Sequence, residues 1–317
     1  MDGQVHMMIF LLVTLNLKIV SGQGNYSSNH SSGIVIVKVG VINEQISKDW
    51  KNAIESRMTP KELDSMLSLK RPLTNEEKSW IKLIKSKTNR WNLFRDSLAT
   101  PFSRPRVTDT VCVLLGAFGV DDAFTYKYNT VCFDLTALQR VYGNSYLPEN
   151  QDKIDRIFAH EFTHLLHKDW VSRNKFLLKT FKDGVLWECL YEGIGMYRSL
   201  PKKWLPQNGV LPEISKNALD ELCPIFVDRL TTIESSGGLS EADKNRIRAN
   251  LSRGTVSKKW GAFTVAMWLA LEANGDDRKL TYWINGNVNS IIILARKYLA
   301  GSNKEKFEKI FPSDVKH

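Results

Sequence analysis

Half of the six histidines in this 317-residue chain lie between positions 160 and 167, in Ala159-His160-Glu161-Phe162-Thr163-His164-Leu165-Leu166-His167. Successive helix residues are about 100° apart, so positions four apart are about 40° apart and share a face. His160 and His164 can thus reach one metal ion. Glu161 lies on the neighbouring strip, close enough to hold a water molecule on that ion without being a ligand. Catalytic zinc takes three protein ligands and leaves a fourth position for water. The bound ion brings that water's pKa toward about 7, and a nearby carboxylate takes its proton as the water attacks. Two histidines do not complete such a site, so a third ligand must come from elsewhere in the chain.

Downstream stands Trp187-Glu188-Cys189-Leu190-Tyr191-Glu192-Gly193-Ile194-Gly195. Glu188 and Glu192 are four apart and share a helix face. Acidic side chains on a largely apolar helix are costly unless paired or metal-bound, so either residue is a candidate third ligand. His-Glu-Phe-Thr-His followed by Tyr-Glu-Gly-Ile-Gly resembles the gluzincin zinc peptidases, in which H-E-x-x-H precedes a helix bearing Glu-Gly or Glu-Ala. The resemblance implies one zinc ion held by His160, His164 and Glu192, with Glu161 as the catalytic base. It implies that Gly193, after the ligand, lets the two helices approach closely. Glu188 matches no ligand of the family. It is read as a partner of a ligand imidazole, or as the ligand itself if the pair is reversed.

Related patterns fit less well. Metzincins need H-E-x-x-H-x-x-G-x-x-H, and here His167 and Trp170 occupy the last two positions. Gly254-Thr255-Val256-Ser257-Lys258-Lys259-Trp260-Gly261 resembles an aspzincin element, with Ser257 where that family's ligand aspartate stands. The aminopeptidase motif G-x-M-E-N is absent, which favours an endopeptidase. His167, on the same broad face as His164, is expected at the surface or the cleft rim. The resemblance further implies that a strand before the metal helix, 111–116 or 130–135, is a sheet edge that binds extended peptide. No residue stands out as the oxyanion stabiliser. Tyr197 faces away from the ligand side, and Tyr282 is supported by nothing local.

The elements that must position these groups can be read from periodicity and caps. Ile34–Val39 is β-branched and strand-like. Thr59-Pro60-Lys61-Glu62 and Thr74-Asn75-Glu76-Glu77 are helix starts. After the second, Trp80, Ile81, Ile84, Trp91, Phe94 and Leu98 recur at helical spacing and are expected in the core. Strand candidates follow at 111–116 and 130–135, joined by a loop. The metal helix is expected over 149–169, with Ile154, Ile157, Phe158, Phe162 and Leu165 as its apolar face. Helical segments follow at 174–200, divided near Gly184, and at about 213–232, from about 239, at 260–273 and at 285–300. The resulting expectation is an α+β, zincin-like fold. A small mixed sheet with helices precedes the H-E-x-x-H helix, the C-terminal half is mainly helical, and the active-site cleft lies between them.

Composition sets further bounds. Hydrophobic residues make up 43% and charged residues 25%, an ordinary globular balance. The formal net charge of +10 is spread along the chain. No nucleic-acid-binding motif accompanies it, so no nucleic-acid partner is expected. Residues 7–15 form a short apolar run, and Val20-Ser21-Gly22 offers a cleavage point. The expected organisation is a signal peptide at 1–22, a polar linker at 23–32, an N-terminal α+β subdomain at 33–169 and a helical subdomain at 170–317. This implies a secreted, periplasmic or cell-envelope protein without a transmembrane anchor. Cys112 and Cys132 are the favoured disulfide pair, with four free thiols (Cys189 and Cys223 included) as the equal alternative. Asn25, Asn29 and Asn250 lie in glycosylation sequons. These readings converge on an exported zinc-dependent endopeptidase acting on peptide or protein substrates. The alternative is a secreted binding or adhesion module with a non-catalytic metal site on the same scaffold. Glu161, which a non-catalytic site does not need, argues against it.

Overall fold

A computed structural model of the chain describes residues 34–312, apart from 43–44, 56, 69–70, 104, 106–108, 119–120 and 236–237. The expected signal segment and linker, with the sequons at Asn25 and Asn29, lie outside the described residues.

The strand-like sequences form a four-stranded mixed sheet. β1 (Ile34–Val39) pairs in parallel with the strand Thr110–Gly116, which pairs in parallel with Thr130–Asp134. The segment Ala123–Tyr126 adds antiparallel to Thr130–Asp134 and forms the edge. A two-stranded ribbon of β2 (Val41–Ile42) and β3 (Gln45–Ile46) lies between, so the three later strands are β4, β5 and β6 in chain order and the sheet order is β1-β4-β6-β5. The strands expected to include the substrate-binding edge, β4 and β6, are interior, and the edges are β1 and β5. Sequence reading missed β5 because it is four residues long and follows the loop bearing Asp121 and Asp122.

The pleat divides β4 between two cores. Val111, Val113 and Leu115 join the larger one. Leu114 joins Cys132, Phe124 and Trp50 in a smaller one, covered by α1 (Lys48–Glu55) and α2 (Pro60–Ser68). The Thr74–Glu77 signature is a capping box at the start of α3 (Asn75–Ser86). Glu77 there also accepts from Arg71 and from Thr136. Burial would raise its proton affinity, but these partners hold it down to about 2. The single helix expected after Thr74 divides at Lys87, giving α3 and α4 (Thr88–Ala99).

After β6 come α5 (Leu135–Tyr142), α6 (Pro148–Asn174) and α7 (Phe181–Ser199). The remainder is helical: α8 (Glu213–Ser235), α9 (Glu241–Arg248), α10 (Ala262–Ala273), α11 (Leu280–Gly286), α12 (Val288–Tyr298) and α13 (Gly301–Ile310). The described residues thus form an α+β fold, mostly helical, with every sheet strand before α5. Gly184 does not divide the segment around it; it lies in the first turn of α7, beyond a Thr180–Asp183 capping box. Among the described residues no helix is long and apolar enough to cross a membrane. All four cysteines are free thiols. Cys112 pairs with Thr130 and Cys132 with Leu114, so the favoured disulfide partners stand on adjacent strands, offset by two positions, without a bond.

α6 is positioned by what it buries. Phe158 stacks on Trp91 of α4 with centroids 4.1 Å apart and rings 5° from parallel, and Phe162 stacks behind it at 5.7 Å. Such pairs add about 0.5–1.5 kcal/mol each beyond area burial. The Trp91 indole donates to Asp155 Oδ1 at 2.7 Å, and Lys87 and Arg90 reach the other oxygen of the same carboxylate. α4 and α6 are thereby fixed in rotation as well as in contact.

Candidate metal centre

α6 presents His160, Glu161 and His164, and α7 crosses it to present Glu192. The two Nε2 atoms of the histidines are 2.9 Å apart, and each is 3.6 Å from Glu192 Oε2. Three atoms sharing one tetrahedral zinc at about 2.0–2.1 Å must be about 3.3 Å from one another. The observed spacing brackets that value, so the donor set fits zinc. Glu161 offers an oxygen within 4.8 Å of both imidazoles. Glu192 is nearer to both, which favours it as third ligand and leaves Glu161 beside the site.

The imidazoles are oriented by different means. Ser199 Oγ donates to the carbonyl of Met196, so it accepts from His160 Nδ1 at 3.3 Å. With its proton on Nδ1, His160 keeps the Nε2 lone pair free for a metal. His164 is held by stacking on Tyr191, with centroids 4.0 Å apart and rings 8° from parallel. Its Nδ1 is buried without a hydrogen-bond partner. Burial pulls the proton affinity of both rings down. For His164 the neighbouring His160 adds to this, whereas at His160 Glu192 and Glu161 together outweigh burial and raise it. Burial would raise the proton affinity of Glu192, but the two imidazoles hold it well below the usual carboxylate range.

Glycines make the close crossing of α6 and α7 possible, though not the one expected. A Cβ on Gly193 would lie 2.6 Å from Val265 Cγ1, so Gly193 admits α10. A Cβ on Gly195 would lie 3.0 Å from Cε1 of both His160 and His164. Gly195 is therefore the small residue against which the His160 and His164 rings rest.

Glu188 is turned away from the histidines. It accepts from Ser252 Oγ at 3.3 Å and lies 3.9 Å from Arg248. Burial raises its proton affinity, and Arg248 opposes this. His167 is not at the rim. It is fully buried among Phe102, Trp187 and Tyr191, and neither ring nitrogen has a hydrogen-bond partner. Tyr191 is sandwiched between His164 and His167. Tyr197 donates to Asp277 at 2.7 Å. Tyr282 is 63% exposed, with its ring against Trp283.

Three residues near the centre were not singled out from the sequence. Lys168, one turn past His164, donates to Thr125 Oγ1 on β5. Lys259, just before α10, is half-buried and in the electrostatic field of Glu192 and His160. Asp122, at the start of β5, accepts from the Tyr142 hydroxyl. None belongs to a local motif, because the fold brings them together from three separate segments. Comparison with protein-family models, with curated proteins and with solved structures returns no match to this chain.

Proposed function

We propose that this protein is a zinc-dependent peptidase of the gluzincin kind, probing its substrate along β5. The observation that carries the reading is the convergence of His160 Nε2, His164 Nε2 and Glu192 Oε2 at 2.9–3.6 Å. His160, His164 and Glu192 would hold the ion. Zinc, when bound, would supply the Lewis acid that makes water acidic near neutral pH and polarises a peptide carbonyl.

The chain's own residues supply the rest. Glu161, beside the ligands and partly open to solvent, takes a proton at its carboxylate from the attacking water and passes it to the leaving amine. Ser199 holds the proton on His160 Nδ1, and Tyr191 holds the plane of His164. β5 lies beside α6 at the edge of the sheet, which favours an extended peptide added to the sheet. The absence of the G-x-M-E-N element favours an endopeptidase.

The test is Glu161→Gln with two readouts. Stoichiometric zinc should be retained, and chelator-sensitive cleavage of an unfolded protein such as casein should fall by at least about 100-fold, the scale of a lost general base. Full activity in that variant overturns the mechanism. Zinc binding by the wild type without cleavage of any peptide favours the binding-module alternative.

A further inference from the structure

The link between α6 and α7 carries two adjacent leucines that the fold leaves outside. Leu177 is 75% and Leu178 46% exposed, and neither joins a core cluster. Their exposure is built in by the residues on either side. α6 ends at Lys175 in the left-handed region, φ 49°, with the Lys175 amide donating to the Val171 carbonyl. Phe176 turns inward, its ring 5.4 Å from that of Trp187. On the far side Asp183 accepts from the amides of Lys179 and Thr180 at 3.1 and 3.0 Å and closes the capping box of α7. Both flanks are fixed, and the two leucines form the tip between them. Single surface leucines are ordinary, whereas adjacent ones on a clamped turn make a patch that gains by leaving water.

The charges around the tip have one sign. No acidic residue stands between Lys175 and Lys182. Asp183 is committed to the cap, Lys182 is paired with Glu234 at 2.6 Å, and Arg173 is held by Asp169 and by the Phe102 and Ser103 carbonyls. Lys175 and Lys179 are exposed, and among the described residues neither side chain is engaged in an ion pair. Two leucines between two such lysines suit a bilayer surface. The leucines enter the acyl boundary, while the ammonium groups on their long stems stay among anionic headgroups. A protein partner suits the tip less well, because lysine is depleted and aromatic residues are enriched where proteins meet.

We infer that this tip docks the protein reversibly on an anionic lipid surface, with Leu177 and Leu178 inserted and Lys175 and Lys179 against the headgroups. Two leucines give attachment and not a span, and among the described residues no helix is long and apolar enough to cross a membrane. α6 runs ten residues beyond His164 to Asn174, about 15 Å along its axis. The lipid contact is therefore remote from the candidate centre, whatever chemistry that centre performs.

The experiment sediments the full chain with vesicles of phosphatidylcholine alone, or of phosphatidylcholine and phosphatidylglycerol at about 3:1, an anionic surface. The variants are Leu177→Ser with Leu178→Ser, Lys175→Gln with Lys179→Gln, and Leu177→Trp. Leu93→Ser on α4 and Lys306→Gln on α13, exposed elsewhere on the chain, are the controls. The wild type should bind anionic vesicles at least about tenfold more tightly than neutral ones, and less tightly in high salt. The leucine pair should weaken binding by about tenfold or more, and the lysine pair by about tenfold on anionic vesicles only. Both controls should bind as the wild type does. Leu177→Trp should add a blue shift in fluorescence with anionic vesicles, beyond any change in the wild type. Failure to bind vesicles, or binding that survives the leucine pair, overturns the inference. Binding lost equally in Leu93→Ser or Lys306→Gln marks non-specific adsorption and overturns it too. A blue shift of Leu177→Trp with protein concentration alone assigns the tip to a second copy of the chain and overturns the lipid assignment.

Discussion

Gly193 and Gly195 stand two residues apart on α7 and face different neighbours, which gives an internally controlled test of the metal centre. In Gly195→Ala the new Cβ meets Cε1 of both ligand rings at 3.0 Å and His160 Nδ1 at 3.1 Å. Carbon atoms in contact settle at about 3.5–4.0 Å, so the rings must give by about 0.5 Å. Metal ligands tolerate only about 0.2 Å. Zinc affinity should therefore fall by about 10–100-fold, the range seen when groups supporting ligands are disturbed. The fold should suffer little, because about 1–3 kcal/mol of overpacking is partly offset by about 0.5–1 kcal/mol gained from Ala in a helix. Gly193→Ala drives its Cβ to 2.6 Å from Val265 Cγ1 and 2.9 Å from Val265 Cβ. That variant should lose more stability and less zinc affinity than Gly195→Ala, because its clash falls on Val265 of α10 and not on the imidazole rings. The assays are competition against a fluorescent zinc chelator and denaturant unfolding of the metal-free protein. If Gly195→Ala binds zinc as wild type does, or if both variants lose affinity equally, the assignment of Gly195 to the ligand rings is wrong.

Three further outcomes are expected. Glu188→Gln should leave zinc affinity within about twofold, since Glu188 is engaged by Ser252 and Arg248 and supports no ligand; a tenfold loss would return it to the ligand set. Burial holds the His167 imidazole down to about 3, against about 6.5 in an unfolded chain. The unfolded state thus binds more protons in between, so stability is full above about 6.5 and falls with pH by up to about 1.4 kcal/mol per unit. The stability of wild type relative to His167→Leu should drop by about 2 kcal/mol between pH 7 and pH 5, and parallel unfolding profiles would refute this. Asp155→Ala leaves the Trp91 indole and Lys87 without their carboxylate and should cost about 2–4 kcal/mol in urea unfolding. Asp155→Asn, which keeps an acceptor for the indole, should cost clearly less.

The two helices that bring His160, His164 and Glu192 together were legible because both carry strong local signals. The H-E-x-x-H spacing and the apolar face of α6 follow from helical periodicity, whereas the choice of Glu192-Gly193 came from the resemblance. Side-chain direction on α7 was harder to read. Glu188 and Glu192 share a face by period alone, and crossing geometry sends one to the imidazoles and the other to Ser252. The same geometry gives Gly193 to α10 and Gly195 to the ligands. His167 looked like a rim residue because polarity argued for solvent, yet Phe102, Trp187 and Tyr191 enclose it from three segments. β5 was too short to show a period, so the edge was assigned to strands that tertiary pairing buries. Lys168 carries no local signature, and only the fold brings it to Thr125 on β5.

The crossing of α6 and α7 also bears on the order in which the molecule assembles. The candidate ligand set closes over 32 positions, from His160 to Glu192, whereas β1 must find β4 over 76, from Ile34 to Thr110. Loop closure favours the shorter span by roughly 0.8 kcal/mol, and contacts of low sequence separation form sooner. Under the proposed function, an ion present during folding would meet its ligands on a helical hairpin before the sheet is complete, and a peptide would find β5 only once the sheet is finished.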